Sequence, residues 1–504
     1  MLKKIRLIVS LVLFGLITFY FLDFTGVFGT HSWLQRIQLV PALLSLSFII
    51  IAALFLLTFL FGRIYCSSIC PMGIYQDIVG WITRKVAKRK KRFKYTRPKT
   101  MLRWGTLVVT VIAFFAGFSV LLGLLDPYSA YGRMVVNVFK PIYIAGNNLF
   151  ASAFNHFDNY MFYKVDASIL SIPSLIIGLL TLLVIGFLAS KYGRLWCNTI
   201  CPVGTLLGLI GRFSLFKVRI DQIKCNHCGV CATKCKASCI NSSEQSIDYT
   251  RCVDCFDCIG ECRQHALSYN LRVKKVDHST DSSKRNFLIA GAATASVVPK
   301  VFADAQAVVA NANGLKSDKR KTPITPPGSI SRAHFQNKCT SCHLCVSKCP
   351  SHVLKPSFME YGLDGFMQPT VYFEKGFCNF DCTVCSDVCP NGAILPLTKE
   401  QKHLTQMGQV VFIMENCIVY RENTSCGACS EHCPTQAISM VPYKGGLTIP
   451  NVDTAICVGC GGCEYVCPAR PYRAVHIEGD AIQQKAKPFV EKKEKHIKVD
   501  NFGF

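Results

Sequence analysis

The sequence predicts a membrane α-helical domain, a bundle of four spans, joined to two small α+β modules built around cysteine. Two observations lead to this prediction: half of the 504 residues are hydrophobic, and 29 are cysteine. The apolar residues gather in long runs within the first part of the chain, whereas most cysteines follow in tight tandem groups. A disulfide-bonded secreted chain would be shorter and would scatter its cysteines among loops, so the spacing favours metal ligands.

Four apolar runs carry the membrane prediction. They cover residues 7–28, 39–61, 101–125 and 168–189. Each is close to the ~20 residues that a helix needs to cross a bilayer. Buried helices of a soluble core are the alternative, but four such runs with almost no interior charge are rare in soluble domains.

The charges predict how these runs are oriented. The chain has a net charge of +25, and its basic residues cluster before the first run, at residues 84–103 and at residues 191–219. By the positive-inside rule, both ends of the four-helix unit face the cytoplasm, which predicts a multi-pass protein of the bacterial inner membrane. The basic excess then reflects topology and contact with lipid headgroups, and no nucleic-acid partner is predicted.

A repeated motif follows two of the apolar runs. Residues 62–73 closely match residues 193–204, and each copy contains Cys-x3-Cys-Pro. If each motif is helical, its two thiols lie one turn apart. The two copies could then offer four sulfurs to one site at the inner membrane surface: Cys66, Cys70, Cys197 and Cys201. A cluster, a redox thiol pair, one wall of a quinone pocket and a structural turn with packed cysteines all remain open interpretations.

Two groups with the spacing Cys-x2-Cys-x2-Cys-x3-Cys come next, which is the pattern of a bacterial two-cluster ferredoxin. In that pattern, three close cysteines and the fourth cysteine of the other group bind each [4Fe–4S] cluster. The predicted ligands are Cys225, Cys228, Cys231 and Cys262 for one cluster, and Cys252, Cys255, Cys258 and Cys235 for the other. Zinc sites use Cys pairs with a longer gap and fit less well. Lys236 and Arg263 replace the usual proline after the fourth cysteine, and Cys239 is left over as a packed thiol near a cluster.

The middle of the chain looks like an export signal. Residues 283–288 form a twin-arginine motif with lysine in the first position, and a mild Ala-rich stretch leads to Ala303-Asp304-Ala305. This predicts that the following domain folds around its clusters before export. The alternative is a linker or surface helix that stays inside. A polar, Pro-rich linker, residues 316–331, then leads to the last module.

Sixteen cysteines in four evenly spaced groups, each ending in Cys-Pro, predict four further [4Fe–4S] clusters. The groups are Cys339, Cys342, Cys345 and Cys349; Cys378, Cys382, Cys385 and Cys389; Cys417, Cys426, Cys429 and Cys433; and Cys457, Cys460, Cys463 and Cys467. Pairing between neighbouring groups and a nested outer/inner pairing both remain open. The stretch from Cys339 to His343 also matches the c-type haem attachment motif, but the same cysteines complete a ferredoxin group.

Six clusters are therefore predicted, two in the first ferredoxin-like module and four in the second. The predicted domains are a membrane unit at 1–215, a two-cluster module at 216–275, a signal-like segment and linker at 276–330, a four-cluster module at 331–482 and a basic tail at 483–504.

These motifs resemble two known families. Residues 1 to about 270 resemble the NapH/MauN family of membrane quinol-dehydrogenase components, through the apolar runs, the two Cys-x3-Cys-Pro motifs and the two-cluster module. Residues from about 280 to 480 resemble the NapG/MauM family, through the export signal and the four cluster motifs. The resemblance implies electron transfer from quinol to a periplasmic redox protein, typically a nitrate reductase.

The sequence is thus that of a membrane electron-transfer protein, expected to be a quinol dehydrogenase component rather than a terminal reductase, because no molybdenum, flavin or Gly-rich substrate signature is evident. Its expected partners are membrane lipid, the quinol pool and a periplasmic redox acceptor. The first module is expected in the cytoplasm and the second in the periplasm. The alternative function is a polyferredoxin whose clusters all face the cytoplasm and supply electrons for metal-cofactor or oxidase assembly.

Overall fold

The computed structural model describes residues 2–27, 29, 32–86, 93–158, 162–165, 171–271 and 315–488. They form a helical domain, which ends at Gly211, and two cysteine-rich modules. The predicted export signal and its small-residue end lie outside the described residues. The same holds for the end of the predicted basic tail.

The helical domain is built from helices of very different lengths. Its helices are α1 (Leu2–Leu22), α2 (Trp33–Arg36), α3 (Leu39–Leu44), α4 (Phe48–Phe61), α5 (Ile64–Ser68), α6 (Pro71–Val86), α7 (Thr100–Phe115), α8 (Ser119–Leu125), α9 (Pro127–Met134), a π-helical turn (Val135–Phe139), α10 (Lys140–Asn155), α11 (Ile172–Tyr192), α12 (Leu195–Thr199) and α13 (Pro202–Gly211).

Among the described residues, two helices are long and apolar enough to cross a membrane: α1 and α11, of 21 residues each. The other two predicted runs are broken, so the expectation of four unbroken spans is wrong for them. Between α3 and α4, Leu46 has φ 55°, and between α7 and α8, Gly117 has φ 91°. A residue in this left-handed region cannot continue a right-handed helix. The remaining pieces α4 and α7 have 14 and 16 residues.

The repeated motif forms the same turn twice. Gly62 ends α4 with φ 76°, and Gly193 ends α11 with φ 67°. Each is followed by a five-residue helix and then by a helix that begins at the proline of the motif. The helix after the first motif, α6, lies beside α11. The Tyr75 hydroxyl donates to the Leu182 carbonyl at 3.0 Å, and further along both helices a Cβ on Gly80 would lie 3.7 Å from the Ala189 carbonyl oxygen.

The first module combines two antiparallel strand pairs with two short helices. Its elements are β1 (Phe216–Ile220), α14 (Val230–Lys234), β2 (Ile240–Asn241), β3 (Ser246–Ile247), α15 (Asp257–Glu261) and β4 (Leu267–Leu271). Strand β1 pairs with β4, and β2 pairs with β3. The predicted α+β composition of this module is therefore present, and each short helix carries the third cysteine of its group.

The second module contains three antiparallel strand pairs. Its elements are α16 (Arg332–Lys338), α17 (Leu344–Lys348), β5 (Leu354–Pro356), β6 (Pro369–Val371), α18 (Val384–Val388), α19 (Lys399–His403), β7 (Thr405–Phe412), α20 (Ile418–Glu422), α21 (Ala428–Glu431), β8 (Ile438–Pro442), β9 (Thr448–Val452), α22 (Gly462–Val466) and β10 (Val475–Lys485), with 3-10 turns at Leu363–Gly365, Met414–Asn416 and Lys444–Gly446. The pairs are β5 with β6, β7 with β10, and β8 with β9.

Residues 316–331 belong to the second module, which corrects their prediction as a linker. Ile324 is fully buried, and the Gly479 amide in β10 donates to the Thr322 carbonyl at 3.2 Å. The opposite boundary also moves, since the Gln483 amide donates to the Ile330 carbonyl at 2.8 Å. The module therefore includes the beginning of the predicted tail. The few apolar residues of this segment lie among polar residues and prolines, so its sequence resembles that of a linker.

The two modules lie at opposite ends of the helical domain. At the start of α1, Lys3 forms an ion pair with Asp257 of the first module at 3.2 Å. Beyond its other end, Asp23 pairs with Lys348 of the second module at 2.5 Å. Helix α1 has 21 residues, and at 1.5 Å per residue it is about 31 Å long. We call these the first-module end and the second-module end of the helical domain.

Helices α7 and α8 also contact the first module at one end and the second module at the other. Arg103, in the first turn of α7, donates to the Thr250 hydroxyl of the first module at 2.9 Å. Ser119, at the start of α8, donates to the Gln336 carbonyl of the second module. Two separate parts of the helical domain therefore connect the same pair of modules in the same sense.

Helix α9 and its continuation lie against the second module. Arg133 donates to the carbonyls of Thr340 and Ser341, each at 3.3 Å. On the other side of α9, the Tyr131 hydroxyl lies 2.6 Å from the Thr18 hydroxyl of α1. Helix α9 therefore forms a layer between the second module and the rest of the helical domain.

Candidate metal centres

The first module contains two cavities, each ringed by four cysteines. The first is lined by Cys225, Cys228, Cys231 and Cys262. The second is lined by Cys252, Cys255, Cys258 and Cys235. The fourth cysteine of each group therefore lines the cavity of the other group. Cys239 also lines the second cavity, where its sulfur lies 3.5 Å from that of Cys235.

The second module repeats this exchange between neighbouring groups. One cavity is lined by Cys417, Cys426, Cys429 and Cys467, and another by Cys457, Cys460, Cys463 and Cys433. The first two groups follow the same rule. The thiols with the strongest electrostatic effect on Cys345 are Cys339, Cys342 and Cys389, and those with the strongest effect on Cys385 are Cys378, Cys349 and Cys382. The structure thus has the neighbour arrangement, which the spacing alone left open beside the nested one.

The backbone around each group aims N–H groups at sulfur. The Gly459 amide donates to Cys457 Sγ at 3.4 Å, and the Ala437 amide donates to Cys433 Sγ at 3.2 Å. Gly461 and His343 have φ 79° and 62°, and each directly precedes a short helix that carries the third cysteine. Hydrogen bonds to sulfur stabilise thiolate ligands and tune the potential of a cluster.

The cysteine rings fit a cluster better than a single ion. Within the described ranges, no three Cys, His, Asp or Glu side chains converge as they would around one metal ion. The sulfurs surround a cavity instead, as four ligands of a cubane do, whereas a zinc site brings its four ligands to about 2.3 Å from one atom. The donor chemistry and the arrangement therefore both agree with [4Fe–4S] clusters.

The c-type haem alternative fits poorly. Its expected iron ligand, His343, is buried, with Nδ1 3.1 Å from the Asn137 amide nitrogen and Nε2 2.9 Å from the Met367 carbonyl. Both ring nitrogens are thus engaged inside the protein. Cys339 and Cys342 lie beside Cys345 and Cys389, as the ferredoxin interpretation requires.

The lysine that replaces the usual proline after Cys235, Lys236, forms two ion pairs. Its Nζ lies 3.2 Å from Asp77 in α6 and 2.9 Å from Asp257. Its carbonyl accepts the Arg194 amide at 2.9 Å. A proline could make neither ion pair. The lysine therefore fastens the first module to the helical domain.

The four cysteines of the repeated motif are brought together inside the helical domain. Cys66, Cys70, Cys197 and Cys201 are each no more than 4% exposed. Cys201 lies in electrostatic range of the other three. The two short helices that carry the motifs therefore bring their thiols to one place, as the duplication predicts.

Three sulfurs of the repeated motif lie near N–H donors. The Gln76 amide donates to Cys197 Sγ at 3.1 Å, and the Gly204 amide donates to Cys201 Sγ at 3.4 Å. The Arg63 guanidinium lies 3.8 Å from Cys66 Sγ. Such donors stabilise sulfur in its anionic form, which is the form that binds metal.

Two buried arginines cross between the copies of the motif. Arg63 of the first copy donates to the Cys197 carbonyl at 3.4 Å, and Arg194 of the second donates to the Cys66 carbonyl at 2.6 Å. This packing requires glycine at two positions. A Cβ on Gly73 would overlap the Cys66 carbonyl oxygen, and a Cβ on Gly204 would overlap the Cys197 carbonyl oxygen. The pairing of the copies is thus built into the repeat itself.

One buried carboxylate collects the neighbouring positive charges. Asp77 pairs with Arg194 at 2.9 Å, Lys236 at 3.2 Å and Arg6 at 3.4 Å. Burial by itself would raise the pKa of Asp77, but the charges of Arg194 and Lys236 outweigh burial and hold this pKa below its usual range. Neither Asp77 and Gln76 nor the two arginines were predicted as site residues from the sequence, although the Gly-Arg pair is part of the repeat.

Comparison with known families agrees with the cysteine patterns. A family described as a 4Fe-4S binding domain matches residues 44–94 and 171–221, and a 4Fe-4S dicluster domain matches residues 424–470. The cysteines within the first two segments are those of the Cys-x3-Cys-Pro motifs. No solved structure matches this chain.

Three curated relatives are ferredoxin-type proteins. The methylamine utilization ferredoxin-type protein MauM of Methylobacillus flagellatus is 35% identical over 159 residues, 29% of this chain and 64% of its own length. The ferredoxin-type protein NapG of Escherichia coli is 32% identical over 29% of this chain and 65% of its own length. NapF of the same organism is 28% identical over 32% of this chain and 88% of its own length. The match thus spans just under two thirds of MauM and NapG.

Proposed function

We propose that this iron–sulfur protein, a relative of the NapF, NapG and MauM ferredoxin-type proteins, carries electrons from quinol across a membrane to a redox protein on the other side. The observation that carries the proposal is the position of the two modules at opposite ends of the helical domain. Lys3 with Asp257 and Asp23 with Lys348 mark the two ends of α1. A helix of this length matches the ~30 Å hydrocarbon core of a bilayer.

The surface between the modules supports placing it in lipid. Large apolar side chains there are exposed on four helices: Ile8 and Val12 of α1, Phe48, Ile49 and Leu56 of α4, Met101, Ile112 and Phe115 of α7, and Ile176, Leu183 and Phe187 of α11. A soluble monomer rarely exposes so large an apolar surface. In this proposal α1 and α11 span directly, and the broken pairs α3–α4 and α7–α8 complete the other two crossings.

The cysteine rings are proposed to hold six [4Fe–4S] clusters with the ligand sets described above, two in the first module and four in the second. The bound clusters supply one-electron transfer. This chain contributes thiolates, N–H groups directed at sulfur, and burial that keeps water from the sulfur atoms. Four of these assignments are supported by cavities that four cysteines line, and the other two by the electrostatic proximity of their thiols.

We further propose that the four Cys-x3-Cys-Pro cysteines bind a seventh cluster. N–H donors at the sulfurs and two buried arginines suit an anionic centre, and the family match at these segments carries a cluster-binding description. The centre also lies on a route between the modules. The backbone N–H of Arg63 in the first motif donates to Asp254 Oδ2 of the first module at 3.0 Å, and Tyr65, which directly precedes Cys66, donates to Gln38 toward the second-module end at 2.8 Å. A redox thiol pair and a quinone-pocket wall remain the alternatives.

We propose that the first-module end lies in the cytoplasm, because positive charge gathers there and the positive-inside rule associates such ends with the cytoplasm. The second module would then face the periplasm, where the acceptor is proposed to be a reductase of the nitrate-reductase type. The second candidate function, electron supply to metal-cofactor or oxidase assembly, would need all clusters on the cytoplasmic side. The opposite placement of the modules favours the first function.

A topology experiment tests this proposal. Alkaline phosphatase, which is active only outside the cytoplasm, is fused after Phe504, and in a matched fusion it follows Leu271 at the end of the first module. We expect activity from the first fusion and none from the second. Inactivity of both fusions would contradict the proposal and favour the assembly function.

A further inference from the structure

Four buried side chains carry unpaired polar atoms where the helical domain meets the second module. They are Tyr20 of α1, Gln35 and Gln38 around α2, and Tyr128 of α9, each no more than 4% exposed. Within the described part of the chain, both tyrosine hydroxyls, both amide atoms of Gln35 and the amide nitrogen of Gln38 have no hydrogen-bond partner. Buried polar atoms are nearly always paired, so such a group calls for a bound molecule. We call these four residues the polar junction.

The four residues belong to one region. The ring of Phe21, next to Tyr20, packs against Tyr128 with centroids 5.7 Å apart, and Tyr128 is in electrostatic range of Tyr20. The backbone N–H of Gln38 donates to the backbone carbonyl of Gln35 at 3.2 Å. Gln35 lies in α2 and Gln38 lies directly before α3, in the segment that follows α1 in the chain.

Contacts with the second module hold the α2 segment beside Tyr20. Ser32 donates to the Asp387 carbonyl at 3.2 Å, and Arg36 donates to the same oxygen at 3.3 Å. Tyr20 is in electrostatic range of both Arg36 and Asp387. The polar junction is therefore enclosed by α1, α2, α9 and the segment of α18 that precedes Cys389.

The polar junction lies between two cysteine centres. On one side, Tyr128 is in electrostatic range of Cys342 and Cys389, which share one ring. On the other side, Gln38 accepts a hydrogen bond from the Tyr65 hydroxyl at 2.8 Å, and Tyr65 directly precedes Cys66. A molecule bound here would be next to two proposed electron carriers.

The surrounding surface indicates how a ligand would arrive. Trp33, which lies between the enclosed Tyr20 and Gln35 in the chain, is 61% exposed, and Leu43 and Leu46 nearby are 37% and 61% exposed. Tryptophan is enriched where a membrane meets water. The polar junction is thus close in the chain to an exposed apolar surface of the kind that contacts lipid.

We propose that the polar junction binds the head of a quinol, which rests on the proposed function and assigns its substrate a site. A quinol presents two hydroxyls and its oxidised form two carbonyls, and tyrosine hydroxyls and glutamine amides can bind both. The unpaired atoms belong to uncharged side chains, which suits a neutral ligand better than an ion. Oxidation of one quinol yields one quinone, two electrons and two protons. The electrons pass singly to the adjacent cluster, and the protons pass to water at the second-module end.

The test uses the full chain in lipid nanodiscs with decylubiquinol as the probe. The variants are Gln35→Leu and Tyr128→Phe. Tyr131→Phe is the matched control, because Tyr131 is also buried in α9 but its hydroxyl is paired with Thr18. Two quantities are measured: the decylubiquinol concentration that half-saturates cluster reduction, and the amount of quinone that stays bound after washing. Cluster content is checked by electron paramagnetic resonance after reduction with dithionite.

We expect each polar-junction variant to raise the half-saturating concentration about tenfold and to lose bound quinone, since the loss of a ligand hydrogen bond costs roughly this factor. Cluster content and thermal midpoint should not fall, because the substituted atoms have no protein partner. The control should bind as the parent does. Unchanged quinone binding in both variants would overturn the site and indicate that water alone fills it.

This outcome is distinct from failure of the proposed function. If decylubiquinol does not reduce the clusters of the parent protein, quinol oxidation is refuted even where quinone binds at the polar junction. If the parent is reduced and both variants behave like it, the function stands and the site is refuted.

Discussion

Replacement of Asp77 by asparagine removes the carboxylate that joins the helical domain to the first module. Three cations lie within 3.4 Å of Asp77, and its side chain is 13% exposed. Removing one partner of a buried ion pair costs about 3–5 kcal/mol, because the other charge stays buried without compensation. Lys236 keeps its second carboxylate, Asp257, so we expect the lower value, about 3 kcal/mol.

The loss should appear as a lower thermal midpoint of the helical domain and first module. A free-energy change of this size lowers the midpoint by roughly 6–12 °C for a unit of this length. Scanning fluorimetry in detergent measures it, and hydrogen exchange of β1 and β4 shows whether the first module has loosened. Asp221→Asn is the control, since its pair with Lys224 is exposed and 3.8 Å long and should contribute less than about 1 kcal/mol.

The pH dependence provides a further check. The pKa of Asp77 is lower in the folded protein than in an unfolded chain, so its stabilising effect is complete above the unfolded value of about 4 and is lost as the pH falls further. The difference between parent and variant should therefore be constant from about pH 6 to pH 8. A midpoint that matches that of the Asp221 control would refute the reasoning.

Three further predictions concern the modules and the membrane. Gly132→Val should detach the second module from α9, since a Cβ there would lie 2.5 Å from the Cys342 carbonyl, whereas Gly146→Ala, with nothing within 4 Å, should be neutral; limited proteolysis distinguishes them. Cys235→Ser should remove one cluster's worth of iron and Cys239→Ser should not, as measured by iron analysis, and equal losses would contradict the assignment of Cys239 as a packed thiol. The chain should stay in membranes washed with alkaline carbonate and be released by detergent, and release without detergent would argue against spanning helices.

Ligand spacing is a local property, and for this reason the cysteine rings could be predicted from the sequence. The exchange of Cys235 and Cys262 follows from the two-cluster pattern, whereas the pairing in the second module needed the fold. The breaks at Leu46 and Gly117 were not predicted. Leu46 lies between Ser45 and Ser47, and Gly117 lies two residues before Ser119, but glycine and small polar residues also occur within membrane-spanning helices. In both cases the backbone conformation of one residue, which composition does not encode, decides the outcome.

Charged residues were harder to interpret than cysteines. Arg6 and Arg194 look like topology signals, and they do lie at the first-module end, yet both are buried and bound to Asp77. A basic residue can therefore count toward orientation and also form part of a packed network. Only the packing of α1, α6 and α12 against each other reveals the second role, because the partners are far apart in the chain.

The contact between α1 and the second module also has a consequence for biogenesis. Phe21 and Ser347 are 326 positions apart, and Asp23 and Lys348 are 325 apart. A ribosome adds about 5–20 residues per second, so the second-module end of α1 waits roughly 16–65 seconds for its partner to be made. During that time the fold cannot close, and the newly made helices expose a polar surface built for a module that does not yet exist. Chaperones and cluster-insertion factors therefore have a defined interval in which to act.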